Sequence, residues 1–178
     1  MEEQNSQAKL KQQIASLRSS NRSAILETLK ELRSEGDVSV LPELFNLMLI
    51  QEDEEIQDKI IALLNDLKDK EAAEILAAAI ANPDYQMIQL ALVAACWQNG
   101  LSYGKHIGIF VDVVVSGDYS AAIEAFTVIE EAVGELGENE RKKMAHSLKS
   151  KLQEVDDQKK PLFVELVKVI ENYQAPST

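Results

Sequence analysis

The sequence predicts an all-α fold. Apolar residues recur at three- and four-residue spacing through most of the chain, the breaks between these runs are short, and no pair of alternating strand-like segments occurs. Composition agrees. A chain of 178 residues with 46% apolar residues, only seven Gly and only four Pro can bury a core and needs few tight turns. One folding unit is expected over residues 21–173, preceded by a flexible or loosely helical segment at 1–20 and followed by a flexible tail at 174–178.

Taken in order, the leading segment is rich in Gln and Ser, yet Leu10, Ile14 and Leu17 keep helical spacing. Breaks then fall at Gly36-Asp37, Asn82-Pro83-Asp84, Asn99-Gly100, Gly117-Asp118 and Gly137-Glu138-Asn139. They leave helices at about 22–35, 39–50, 53–68, 70–81, 84–98, 103–116, 118–135, 139–154 and 160–173. Asp53 reads as the N-cap of the third of these, with Glu54 and Glu55 facing the positive end of the helix dipole. Phe110 to Val115 is rich in β-branched residues and suits a strand. A lone strand would have nothing to pair with, so the run is assigned to a helix. Cys96 and Trp97 fall in the strongest apolar run and are expected in the core.

Alternate helices repeat one another. Ile25 to Leu32, Ile60 to Leu67, Leu90 to Trp97, Ile123 to Glu130 and Val164 to Glu171 align, and their starts lie 35, 30, 33 and 41 residues apart. The segment Gly36-Asp37-Val38-Ser39-Val40-Leu41-Pro42-Glu43-Leu44 resembles the turn into the second helix of a HEAT repeat, with Pro in the first turn, where no amide partner is lost. That resemblance covers 21–117 best, and it implies a right-handed α-α superhelix of four to five helix pairs. The stretch from Gly117 to Phe126 also resembles the second helix of a tetratricopeptide repeat, so residues 117–173 are open to either family. Arg141, Lys142, Lys143, Lys149 and Lys151 make the helix at 139–154 far more polar than its predecessors, as a solvated terminal repeat would be.

Charge narrows the function. The net charge is −12, and residues 51–100 hold ten acids against three bases. Binding to nucleic acid relies on Lys and Arg displacing phosphate counterions, so no nucleic-acid partner is expected; a protein partner with a basic surface suits this charge better. No apolar stretch is long enough to span a bilayer, and residues 1–5 lack the features of a secretory signal, so a cytoplasmic location without membrane contact is expected. A single cysteine excludes an internal disulfide.

Motifs for chemistry are few. Gly100-Leu101-Ser102-Tyr103-Gly104 matches the G-x-S-x-G nucleophile elbow, with Asp112 or Asp118 and then His146 following in hydrolase order. That elbow works on a strand-to-helix turn, and the segment before Gly100 reads as a helix, so Ser102 is assigned to an inter-helix turn. His106 and His146 have no second ligand at metal spacing, the acidic run at 51–55 lacks the alternation of a calcium loop, and no phosphate-binding glycine loop occurs. No catalytic residue, metal or cofactor is therefore assigned.

The resemblance implies a non-catalytic scaffold or adaptor that grips a protein along the second helices of its pairs. Glu43, Asn46, Glu71, Glu74, Lys105, His106 and Asp112 are the expected contact residues, with self-association left open. Two alternatives accompany it. Some HEAT-like proteins are bilin lyases or alkylpurine DNA glycosylases, so an enzyme on this scaffold is one; a structural subunit of a stable complex is the other.

Overall fold

The computed structural model describes residues 2–174. Ten α-helices occur among them: α1 (Glu2–Leu17), α2 (Arg22–Glu35), α3 (Leu41–Ile50), α4 (Glu54–Asn65), α5 (Glu71–Ala81), α6 (Gln89–Asn99), α7 (Ile107–Ser116), α8 (Tyr119–Ala132), α9 (Glu138–Lys151) and α10 (Lys160–Glu171). Short 3-10 turns at Val38–Val40, Pro83–Ile88 and Gly104–His106 lead into α3, α6 and α7, and another at Val133–Glu135 closes α8. No strand occurs among the described residues, so the chain is all-α. Of the tail expected at 174–178, residues 175–178 lie outside the described residues, as does Met1.

Local chemistry explains the boundaries. Asn21, Asp53 and Asp118 each accept a hydrogen bond from a backbone amide three residues on, at 3.1, 3.2 and 2.8 Å, and so cap α2, α4 and α8. Each cap is worth about 1 kcal/mol. The β-branched run lies in α7 because Ile107, Phe110, Val111 and Val114 fall on one buried face at helical spacing. The expected helix over 84–98 is corrected. Asn82 takes the Asp84 amide on its side chain and the Tyr85 amide on its carbonyl, both at 3.0 Å, and this closes a 3-10 turn that delays α6 to Gln89.

Contacts divide the chain into two compact units, Met1–Asn99 and Gly100–Thr178. In the first, α2 packs on α4 and α4 on α6, while α1 packs on α3 and α3 on α5. The two rows are joined by α1 against α2, α3 against α4 and α5 against α6. Leu44, Ile60, Leu64, Leu76 and Leu92 are fully buried in this unit. In the second, α7 packs on α8, while α8 and α9 both pack on α10. Its core holds Phe110, Ala125, Ile129, Phe163, Leu166 and Ile170.

The repeat register also needs correction. Ile25 and Ile60 are buried, but Leu90, Ile123 and Val164, aligned with them from sequence, are 41%, 42% and 41% exposed. Leu92, Ala125 and Leu166, two positions later in each helix, are fully buried. A hydrogen-bond equivalence fixes the register of α6 on α4. Gln57 in α4 donates to Met48 O, near the end of α3, at 2.9 Å; Gln89 in α6 donates to Ile80 O, near the end of α5, at 3.0 Å. Both side chains reach back nine residues to a helix end whose carbonyls lack intrahelical partners. Adjacent apolar residues misled the alignment, since Leu90 and Leu92 fit the pattern equally well until packing chooses between them.

Candidate functional site

The segment Gly100 to Gly104 is a loop after the end of α6, and no strand precedes it. Gly100 has φ +66°, the left-handed conformation that glycine supplies at a helix end. Gly104 is required for a different reason. A Cβ there would stand 2.7 Å from both Cβ and Oε2 of Glu135. That close approach lets Glu135 Oε2 accept from the Gly104 amide at 3.2 Å and from the Ser102 hydroxyl. Both glycines of the motif thus serve a carboxylate-bridged turn, and Ser102 donates its proton to an acid rather than to a histidine. Asp118 is occupied as the cap of α8.

Among the expected contact residues, the structure gathers one group. Lys105, His106 and Asp112 all line a groove of about 640 Å³ between α7 and α9, together with Ile109, Met144 and Lys143. Asp112 pairs with Lys151 at 3.5 Å across it. Sequence reading missed the α9 side of this groove. The signal available was the cluster of bases in 141–151, which was read only as a solvated face.

The remaining expected residues lie in the first unit. Glu43 is not a free surface acid: its carboxylate is 15% exposed and forms an ion pair with Arg18, in the turn that follows α1. The hydrogen bond and charge of that guanidinium hold the Glu43 carboxyl below its ordinary value, and they raise Arg18 in return. Asn46 is exposed and accepts from the Tyr85 hydroxyl at 3.2 Å. Glu71 and Glu74 are exposed in the first turn of α5, and among the described residues neither has an ion pair.

Other acids of the middle stretch are neutralised locally. Arg22 pairs with Asp53, at 2.7 Å, and with Glu55, while Arg33 pairs with Asp66. The hydrogen bonds to Asp53 and Glu55 are the main reason the Arg22 pKa is raised, and the first of them is the main reason that of Asp53 is lowered. Cys96 is buried as expected, its thiol donating to Leu92 O at 3.3 Å. Trp97 is not: it is 37% exposed, because α6 turns its Leu92, Val93 and Cys96 face inward instead. Tyr103 is buried and meets Phe110 edge to face at 5.4 Å between ring centroids.

No cluster of three or more His, Cys, Asp or Glu side chains arranged to hold a metal occurs among the described residues, and no helix there is long and apolar enough to cross a membrane. Comparison of the chain with family profiles, with curated proteins and with solved structures finds no match.

Proposed function

We propose that this chain is a HEAT-like helix-pair scaffold that performs no chemistry of its own and binds a protein with a basic surface. The observation carrying the reading is the state of the acids in the first unit. Glu52, Glu54, Asp58, Glu71 and Glu74 are all exposed, and among the described residues none of them has a cationic partner. The unit therefore keeps a negative surplus that its own lysines and arginines do not neutralise. Exposed charge of one sign steers an oppositely charged protein and weakens as salt screens it.

The HEAT-like part of the proposal draws on packing. Helices stacked on the next but one in two parallel rows, Pro42 in the first turn of α3 and the matching Gln57 and Gln89 bonds are what a chain of repeated helix pairs produces. Such rows present extended surfaces rather than enclosed pockets, which suits binding to a protein segment.

The test is affinity capture of the tagged chain from its native cells at low and high salt, repeated with Glu71→Lys/Glu74→Lys. A partner retained at low salt, released at high salt and lost with the double variant supports the acidic surface. Capture that is indifferent to both salt and the variant overturns it.

A further inference from the structure

We propose that the groove between α7 and α9 docks an acidic amphipathic helix of another protein, at a site separate from the acidic surface and opposite to it in charge. The groove exists because of how the second unit packs. In the first unit, neighbours in the same row, α1 with α3 and α3 with α5, lie directly against one another. In the second, α7 is held by α8 and α9 by α10, and a channel of about 640 Å³ stays open between α7 and α9.

Its floor is apolar. Ile109 and Met144 are partly exposed there, beside Val111. Gly108, in the first turn of α7, is exposed, and a Cβ added to it would meet nothing within 4 Å. Nothing within the chain requires a glycine at that position, where its backbone freedom costs helix stability. A missing side chain in the floor gives an incoming helix room to approach closely.

The rim selects the charge of the occupant. Of the two carboxylates at the groove, Asp112 is paired with Lys151 at 3.5 Å, while Glu140 accepts from the Gly137 amide at 2.8 Å and keeps its charge. Lys105 and Lys143 are exposed, and among the described residues neither side chain makes an ion pair or hydrogen bond. Three lysines, Lys105, Lys143 and Lys151, face two carboxylates, Asp112 and Glu140, so the rim carries a net positive charge that favours an acidic helix over a basic one. These bases stand out in a chain of net charge −12. A cleft walled by two helices, with an apolar floor and a charged rim, recognises a helix through anchors at i, i+3 or i+4, and i+7.

The probe is a displayed library of random 16-residue peptides, selected on the full chain and counter-selected on Lys105→Glu/Lys143→Glu. Peptides with apolar residues at helical spacing, flanked by Asp and Glu, are expected to be enriched. The best of them, measured by fluorescence anisotropy, should lose about tenfold or more in affinity to the charge-reversed chain. It should lose affinity likewise to Gly108→Leu, which fills the floor without reversing charge, and should bind Glu71→Lys/Glu74→Lys as well as the wild type. Circular dichroism of each variant checks that the helices are intact. Enrichment of basic or non-helical peptides, no enrichment at all, or binding unaffected by both groove variants overturns the proposal. So does a concentration-dependent dimer of the chain alone that Lys105→Glu/Lys143→Glu dissolves, since a second copy would then be the occupant. Preferential binding of a single-stranded RNA oligonucleotide at the same lysines also overturns it.

Discussion

Lys159 shows how one residue can settle a junction. Its side chain is only 6% exposed, and its ammonium faces the end of α7, donating to Val115 O at 2.6 Å and Gly117 O at 2.8 Å. A cation there satisfies two terminal carbonyls and complements the negative end of the helix dipole. Replacing Lys159 with Met keeps the buried stem but strands both acceptors, and we expect a loss of about 1–3 kcal/mol, read by urea denaturation. Glu43 carries a pH dependence. Its carboxyl sits below the ordinary value because Arg18 favours the ionised form. The pair therefore contributes stability above the unfolded carboxylate value, and that stability is lost as pH falls through the lowered folded value. Compared with Glu43→Gln, the wild type should be more stable by about 0.5–1 kcal/mol near pH 6. The difference should shrink as pH falls below the ordinary carboxylate range and vanish once the lowered folded value has been passed.

At the scale of the element, helix ends in the first unit are closed by side chains from the following helix. Gln57 binds Met48 O and Gln51 O, at 2.9 and 2.7 Å, and Gln89 binds Ile80 O. Changing Gln57 to Leu removes two bonds to partly buried carbonyls, and changing Gln89 to Leu removes one. We expect losses of about 1–2 kcal/mol and about 1 kcal/mol respectively, in a thermal melt of each variant. Gln89→Leu also removes the longer bond that Gln89 accepts from Gln86 at 3.4 Å at the surface, so an equal loss would mean that the second bond of Gln57 adds no more than that one. The elements themselves were largely readable from sequence. Spacing and caps placed the nine later helices, because an apolar stripe at helical period and an Asn or Asp before it are local properties. The largest departure, the 3-10 turn Pro83–Ile88, arises where Asn82 engages two successive amides, a geometry that spacing does not encode; a shorter one, Gly104–His106, delays α7 to Ile107.

At the scale of the molecule, charge dominates. The chain carries 30 acids and 18 bases, and several acids in the first unit remain exposed with no cationic partner among the described residues. Self-repulsion opposes compaction, so adding salt should raise the thermal midpoint between about 20 mM and about 300 mM sodium chloride, the range over which the screening length falls below the spacing of surface charges. A midpoint that falls instead would show that the ion pairs of Arg18, Arg22 and Arg33 outweigh the unpaired surplus.

The sequence by itself determined the all-α class, most helix boundaries and the sign of the surface charge, because each depends on neighbours within a few residues or on composition alone. The tertiary structure decided which positions in each helix are buried. It turned Leu92 inward and left Leu90 and Trp97 at the surface, since only packing against another helix separates equivalent members of an apolar run. It also decided the candidate sites. Arg18 reaches Glu43 across 25 residues and Lys151 reaches Asp112 across 39, and these pairings changed a presumed free acid into a structural one and left Lys105 and Lys143 as the unneutralised cations of the groove. Contacts so distant along the chain depend on how the helices stack, and no local pattern carries that information.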